Sequence, residues 1–157
     1  DNVFASDTRV DGDHSIQTIL PYISQYFPNS KVVPILVSTK YKDIGDLNNN
    51  VKKFINTFGS QKTLYIASVD FAHNVSLEEG LNKNKESINN ISSFNYGEIL
   101  NYHDDHIDSP IAITTLLLTM EDLNAKKWQL WYSSHGALIT NLLNLEGTSY
   151  VVGSFSN

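Results

Sequence analysis

Apolar positions recur at helical spacing in two parts of the chain. In the first, Ile16, Ile19 and Ile23 lie on one helical face, and Pro21 inside the pattern predicts a kink or a displaced helix start. The second helical pattern, closed by Gly59, consists of Ile44, Leu47, Val51, Phe54, Ile55 and Phe58. We therefore predict amphipathic helices in both parts.

Four apolar runs rich in β-branched and aromatic residues predict strands. They are KVVPILVS (31–38), TLYIASV (63–69), WQLWYSS (128–134) and SYVVGSF (149–155). The first run is apolar on both faces, which is typical of a buried strand, although Pro34 favours an edge or a bulge.

Helix signals separate these predicted strands. Ser76 with Glu79 forms a capping-box pattern, and Ser109 with Pro110 predicts the start of another helix. The polar, Asn-rich stretch 82–93 is typical of a solvated helix or a long loop, and a further helix is expected after the third strand. The alternation predicts an α/β fold whose central sheet, mostly parallel or mixed, is flanked by helices.

Composition limits the classes of protein. The 157 residues, 41% of them hydrophobic, fit one domain spanning 1–157. A net charge of -6 argues against nucleic-acid binding, and the absence of Cys excludes disulfides and thiolate metal sites. No apolar run is long enough for a membrane span, and the first residues, DNVFASDTRV, lack the pattern of a signal peptide. We expect a cytoplasmic location, although an extracytoplasmic one stays open.

Three histidines lie where α/β proteins build sites. Asp70 and His73 follow the second predicted strand, His135 follows the third, and His14 follows the acidic turn DGD. Imidazole is a common metal ligand, and a neighbouring carboxylate can orient it, share a metal ion with it or act as a base. The alternative is that Asp70 caps the next turn and His73 is an ordinary surface residue.

A second polar cluster, YHDDHIDSP, contains His103 and His106. An i, i+3 pair of histidines can share a metal ion on one helical turn. We favour a polar loop ahead of the next helix, with Asp108 near the positive end of that helix dipole. The zinc-protease, P-loop, dinucleotide-binding and nucleophile-elbow motifs are all absent from the sequence.

Five segments, in order and spacing, resemble the Memo family, called AmmeMemoRadiSam system protein B in bacteria and archaea. DHSIQTILPYI (13–23) resembles its D/E-H-S-I-E-x-x-L-P-F/Y signature, VVPILVS resembles its V-P-I-L-V-G strand, and IASVDFAHN resembles its S-S-D-L/F-S/C-H-Y/W segment. DSPIAI lies where the family has D-x-x-A-I, and SSHGALI lies where it has x-x-C-G-x-x-x-I.

The resemblance implies a fold similar to that of class III extradiol dioxygenases, which use non-haem Fe(II). By position it implies that His14 and His135 are metal ligands and that Asp70 and His73 are catalytic pocket residues. His135 stands where the family has Cys, a change that favours Fe(II), Zn(II) or Cu(II) over Cu(I). The family's S-P-H-A-G-Y segment, which supplies another histidine ligand, would precede this sequence, so we expect the N-terminal part of the fold to be missing.

Three functions follow from the resemblance and the residues. The first is a metal-dependent redox enzyme of the dioxygenase-like type, with Fe(II) preferred and Cu or Zn as alternatives. The second is a non-catalytic protein that binds a metal, a small molecule or a peptide in a complex, with radical-SAM and AMMECR1-type partners implied by the family. The third is metal-assisted hydrolysis.

Overall fold

The computed structural model describes residues 10–38, 43–60 and 62–157. The chain divides into two compact units, Asp1–Ser38 and Thr39–Asn157. No helix in the described residues is both long and apolar enough to span a bilayer.

Within the described residues 10–38 of the first unit lie the short helices α1 (His14–Gln17) and α2 (Leu20–Tyr26). The Asp13 side chain caps α1 by accepting a hydrogen bond from Ser15 N. Pro21 lies in the first turn of α2. The predicted displaced start is therefore confirmed, because the helical path is interrupted at Thr18–Ile19 and resumes at Leu20.

The second unit begins with four helices: α3 (Ile44–Phe58), α4 (Leu77–Ser92), α5 (Tyr96–Asn101) and α6 (Pro110–Asp122). The predicted cap of α4 is confirmed, since Ser76 Oγ accepts from Glu79 N at 3.3 Å. Pro110 occupies the first turn of α6 as predicted, but Ser109 at the N-cap position makes no side-chain capping hydrogen bond in the described residues. The Asn-rich stretch belongs mostly to α4, which buries Gly80, Asn84 and Ser87.

Two strands close the chain, β1 (Lys127–His135) and β2 (Ser149–Ser156), with the short helix α7 (Gly136–Thr140) between them. They pair antiparallel, from Lys127 opposite Ser156 to His135 opposite Ser149, with a bulge between Leu130 and Tyr132. The last two predicted strands and the helix that separates them are confirmed.

The first two predicted strands are not formed. In the described residues, 31–38 and 62–69 have no regular secondary structure, and the sheet consists of β1 and β2. Leu64 is 65% exposed and Ile35 51% exposed, so their apolar side chains are not buried as expected. An apolar sequence predicts the burial of a strand, but a ladder also needs a partner strand, which these segments do not have here.

The core of the second unit joins its helices to the inner face of the sheet. It consists of Phe71, Ile91, Ile99, Ile107, Ile113 and Leu117, with Trp128, Val151 and Phe155 packed against it. Phe71 is also bridged to Ile107, so the core holds the turn that carries Asp70 and His73. The fold is thus a mixture of helices with a small antiparallel sheet.

Candidate functional site

The turn from Asp70 to His73 is held by the loop that precedes α6. His73 N donates to Asp104 O at 2.9 Å, and Asp108 N donates to Asp70 O at 3.0 Å. Both bonds use backbone groups of the predicted polar cluster YHDDHIDSP. That cluster therefore positions the Asp70–His73 turn.

The Asp70 and His73 side chains lie close together. His73 Nε2 is 3.8 Å from Asp70 Oδ2, and the two side chains are 27% and 45% exposed for His73 and Asp70. On its other side, His73 Nδ1 shares a 3.2 Å hydrogen bond with Thr148 Oγ1. A hydroxyl on one ring nitrogen fixes the orientation of the imidazole and leaves the other nitrogen facing the carboxylate.

His135 ends β1 and caps α7. Its side chain is fully buried at 0% exposure, and its Nδ1 accepts a hydrogen bond from Ala137 N at 3.1 Å. An accepting Nδ1 carries a lone pair, so the proton of the neutral ring lies on Nε2. Within the described part of the chain, this buried Nε2 has no hydrogen-bond partner.

Two glycines border the His135 ring. A Cβ at Gly80 of α4 would lie 2.7 Å from His135 Cδ2, and one at Gly147 would lie 3.3 Å from Cε1. Real Cβ atoms do not approach as closely as 2.7 Å, so Gly80 is needed for α4 to pack on the ring.

A buried polar network lies beside His135 and was not predicted from the sequence. The Asn84 amide nitrogen donates to Ser133 Oγ, Ser134 O and Tyr150 O at 3.1, 3.2 and 3.3 Å. Asn84 Oδ1 accepts from Ser149 Oγ at 2.7 Å, and Ser149 Oγ in turn accepts from Ala72 N at 3.1 Å. One amide thus ties α4 to both strands and to the turn of the candidate site.

In the polar cluster, the His106 ring lies between two carboxylates. His106 Nε2 lies 3.2 Å from Glu86 Oε2, and its Nδ1 lies 3.3 Å from Asp105 Oδ1. The Tyr102 ring stacks on His106 with a 4.5 Å centroid separation, whereas His103 is exposed. This arrangement agrees with a polar loop and uses both ring nitrogens of His106.

The ion pairs of this loop predict a pH dependence. A hydrogen bond from Lys83 lowers the pKa of the Asp105 carboxyl. A carboxyl whose pKa is lower in the folded state than in the unfolded state stabilises the protein at pH values above the unfolded pKa. This stabilisation is lost as the pH falls through the folded pKa. We expect Asp105→Asn to lower the urea unfolding free energy by less than about 1 kcal/mol at pH 7, because the pair is half-exposed. The difference from wild type should shrink as pH falls below about 4, whereas Asp104→Asn should leave the unfolding free energy unchanged at pH 7.

No group of three or more His, Cys, Asp or Glu side chains within residues 10–38, 43–60 and 62–157 could hold a metal ion. Of the four predicted site residues, the structure brings Asp70 and His73 together. His135 lies near the same turn through Ser149, which pairs with His135 and donates its N–H to Ala72 O at 2.9 Å. His14 is exposed on α1 of the first unit.

Comparison with known proteins gives a family match. The family model described as Memo-like protein matches residues 3–141. A MEMO1 family protein of Sulfurisphaera tokodaii is 23% identical over 129 residues, which cover 79% of this chain and 45% of the relative. The chain thus spans less than half the length of the curated relative that it matches. No solved structure matches this chain.

Proposed function

Because the chain belongs to the Memo-like protein family, we propose that it contributes a pocket of His and Asp side chains that holds a divalent metal ion. The observation that carries this proposal is the 3.8 Å separation of His73 Nε2 and Asp70 Oδ2. Two ligand atoms that each lie about 2.1 Å from one ion are roughly 3–4 Å apart. The hydroxyl of Thr148 on His73 Nδ1 is the kind of support that metal-binding histidines receive.

The partial exposure of the pair favours a reactive site over a purely structural one. A catalytic metal keeps open coordination positions, and the Asp70 side chain is 45% exposed. The resemblance favours Fe(II), followed by copper or zinc. Iron or copper would supply redox chemistry toward O2 and a substrate, whereas zinc, which is redox-inactive, would act as a Lewis acid. In that reaction, Asp70 either orients His73 or binds the metal, and His73 either binds it or moves a proton.

The pair fits a metal site only in part. It supplies two donor atoms, and no third acidic or histidine ligand joins them in the residues that the structure describes. The role of His14 as a further ligand rests on the family resemblance. The proposal therefore places the remaining donors outside this pair, in keeping with a chain that covers 45% of its relative.

The role of His135 as a ligand meets a physical obstacle. Its Nδ1 accepts from Ala137 N, so its Nε2 holds the ring proton and has no lone pair for a metal. Coordination through Nε2 would place a proton on Nδ1 and break that helix cap. The resemblance thus predicts that His135→Ala weakens metal binding, whereas the hydrogen bond predicts that metal binding is unchanged.

Metal content tests the proposal in the full natural polypeptide that carries these residues. Purified without oxygen and measured by inductively coupled plasma mass spectrometry, it should hold about one ion per chain. We expect His73→Ala and His14→Ala each to weaken metal binding by about tenfold or more, and the exposed His103→Ala to change nothing. Unaltered affinity in both of the first two variants would remove the pocket from consideration.

The same measurement on His135→Ala decides its role. A loss of about tenfold or more supports coordination, as the family position implies. Unchanged affinity, together with a lower unfolding free energy, supports a capping role through Nδ1.

We further propose that the whole family fold contains a central, mostly parallel or mixed sheet. The support is the composition of 31–38 and 63–69, which are apolar and β-branched, and the exposure of their large side chains here. We also propose that the protein is located in the cytoplasm.

A second candidate is a metal- or ligand-binding protein without turnover that acts in a partner complex. The outer face of the sheet favours it, because Trp131, Tyr132 and Val152 are 67%, 50% and 53% exposed. Oxygen uptake by the Fe(II)-loaded protein with catechol as the probe separates the two. Uptake that His73→Ala abolishes indicates an enzyme, and stable metal binding without uptake favours the second candidate.

A further inference from the structure

Two extended backbones of the second unit start side by side and then separate. Val75 is bridged antiparallel to Gly147, and Ser149 N donates to Ala72 O at 2.9 Å. From these bonds, one backbone runs back along the chain to the segment 63–69, and the other runs forward into β2. An antiparallel ladder that continued would join them, but the structure places a cavity between them instead.

This cavity has a volume of about 900 Å³. Consecutive residues of both backbones line it, from Leu64 to Ala67 and from Gly153 to Ser156. Since neighbouring side chains on a strand point to opposite faces, the backbone edges themselves border the cavity. Helix α6 closes it with Leu117 and Met120, and among the described residues no Asp, Glu, Lys, Arg or His side chain lines it.

Both edges lack a partner strand along the cavity. In the described residues, the backbone of 64–69 makes no hydrogen bond, and beyond the bond from Ser149 N to Ala72 O the only strand that pairs with β2 is β1. Tyr65 Oη and Trp128 Nε1, which also belong to the lining residues, are buried and have no partner in the described part of the chain. Buried polar groups without hydrogen-bond partners destabilise the folded state, so a ligand that supplies partners in this cavity would be stabilising.

We propose that the cavity accepts an extended, uncharged, apolar polypeptide strand, which pairs with the open edge of β2 and with residues 64–69. A strand has N–H and C=O groups on both sides, so it can satisfy both edges at once. A lipid or small apolar molecule would leave these backbone groups unpaired. The chain spans 45% of its relative, so the remaining length of the family polypeptide is a source of such a strand. The inference does not depend on the metal site.

Hydrogen exchange of backbone amides tests this on the purified chain. The probe is a capped seven-residue peptide of alternating valine and threonine, and its control has two central prolines, which cannot donate to a ladder. We expect the probe to slow exchange of the amides of 64–69 by about tenfold or more, since hydrogen-bonded strand amides are protected. The control peptide should have no effect.

Variants locate the binding. Ala67→Glu places a charge in the neutral lining and should abolish the protection, whereas Gln129→Glu, the same charge on exposed β1, should leave it unchanged. Absence of protection by the probe overturns the proposal.

Two further outcomes would also overturn it. The chain has no cysteine, so Ser68→Cys with Ser154→Cys creates a single pair of thiols. Rapid, complete disulfide formation without added peptide would show that the two backbones close on each other. Protection by 1-decanol equal to that by the probe would show an apolar pocket without strand recognition.

Discussion

We expect replacement of Asn84 by alanine to lower the free energy of unfolding by about 3 kcal/mol, because each buried group left unpaired costs about 1–3 kcal/mol. Asn84 is 1% exposed and bonds to β1, β2 and Ser149. Ser149 Oγ, which also holds Ala72 N, would lose its acceptor. In thermal denaturation this corresponds to a fall in midpoint of about 6–12 °C for a domain of this size.

Asn82→Ala is the matched control, since Asn82 is an exposed residue of the same helix. We expect its unfolding free energy to stay within about 0.5 kcal/mol of wild type. Equal values for the two variants would mean that the buried network contributes nothing to stability. Ser149→Ala should fall between them, because it keeps the bonds from Asn84 to the strands.

Local signals in the sequence predicted the elements whose determinants are local. The cap at Ser76, the helix start at Pro110 and the break at Pro21 depend on neighbouring residues, and the structure has them where expected. The strands β1 and β2 were also predicted correctly, and each pairs with a strand that is near it in the sequence. Local chemistry is thus sufficient where an element's partners are nearby.

The two early strands depend on distant partners. Residues 31–38 and 63–69 have the composition of strands, but composition does not say which backbone lies beside them. In the described residues no other backbone pairs with them, so both remain without a ladder. The predicted central sheet therefore stays a proposal about the whole family fold.

The candidate site was predictable in part for the same reason. Asp70 and His73 are three residues apart, so their proximity follows from one turn. Thr148, which bonds to His73, lies 75 positions away in sequence, and nothing local to it indicates the contact. For Asn84 there was a weak signal, since Gly80, Asn84, Ser87 and Ile91 recur at helical spacing and form the buried face of α4.

We expect Gly80→Ala to destabilise the protein by about 1–3 kcal/mol, although alanine is normally the better helix former by about 1 kcal/mol. The added Cβ would lie 2.7 Å from His135 Cδ2 and 3.2 Å from Val75 Cγ2. His135 cannot move away easily, because its Nδ1 is bonded to Ala137 N and its side chain is fully buried. The clash must then shift either α4 or the end of β1.

Gly97→Ala in α5 is the control, because no atom lies within 4 Å of its added Cβ. There the helix preference acts alone, so the variant should be unchanged or more stable by up to about 1 kcal/mol. Urea denaturation of both variants compares the signs directly. Opposite signs mean that the close contact between α4 and His135 outweighs helix propensity. Equal stabilisation would show that the ring has room to move, and the unpartnered Nε2 could then turn toward a ligand.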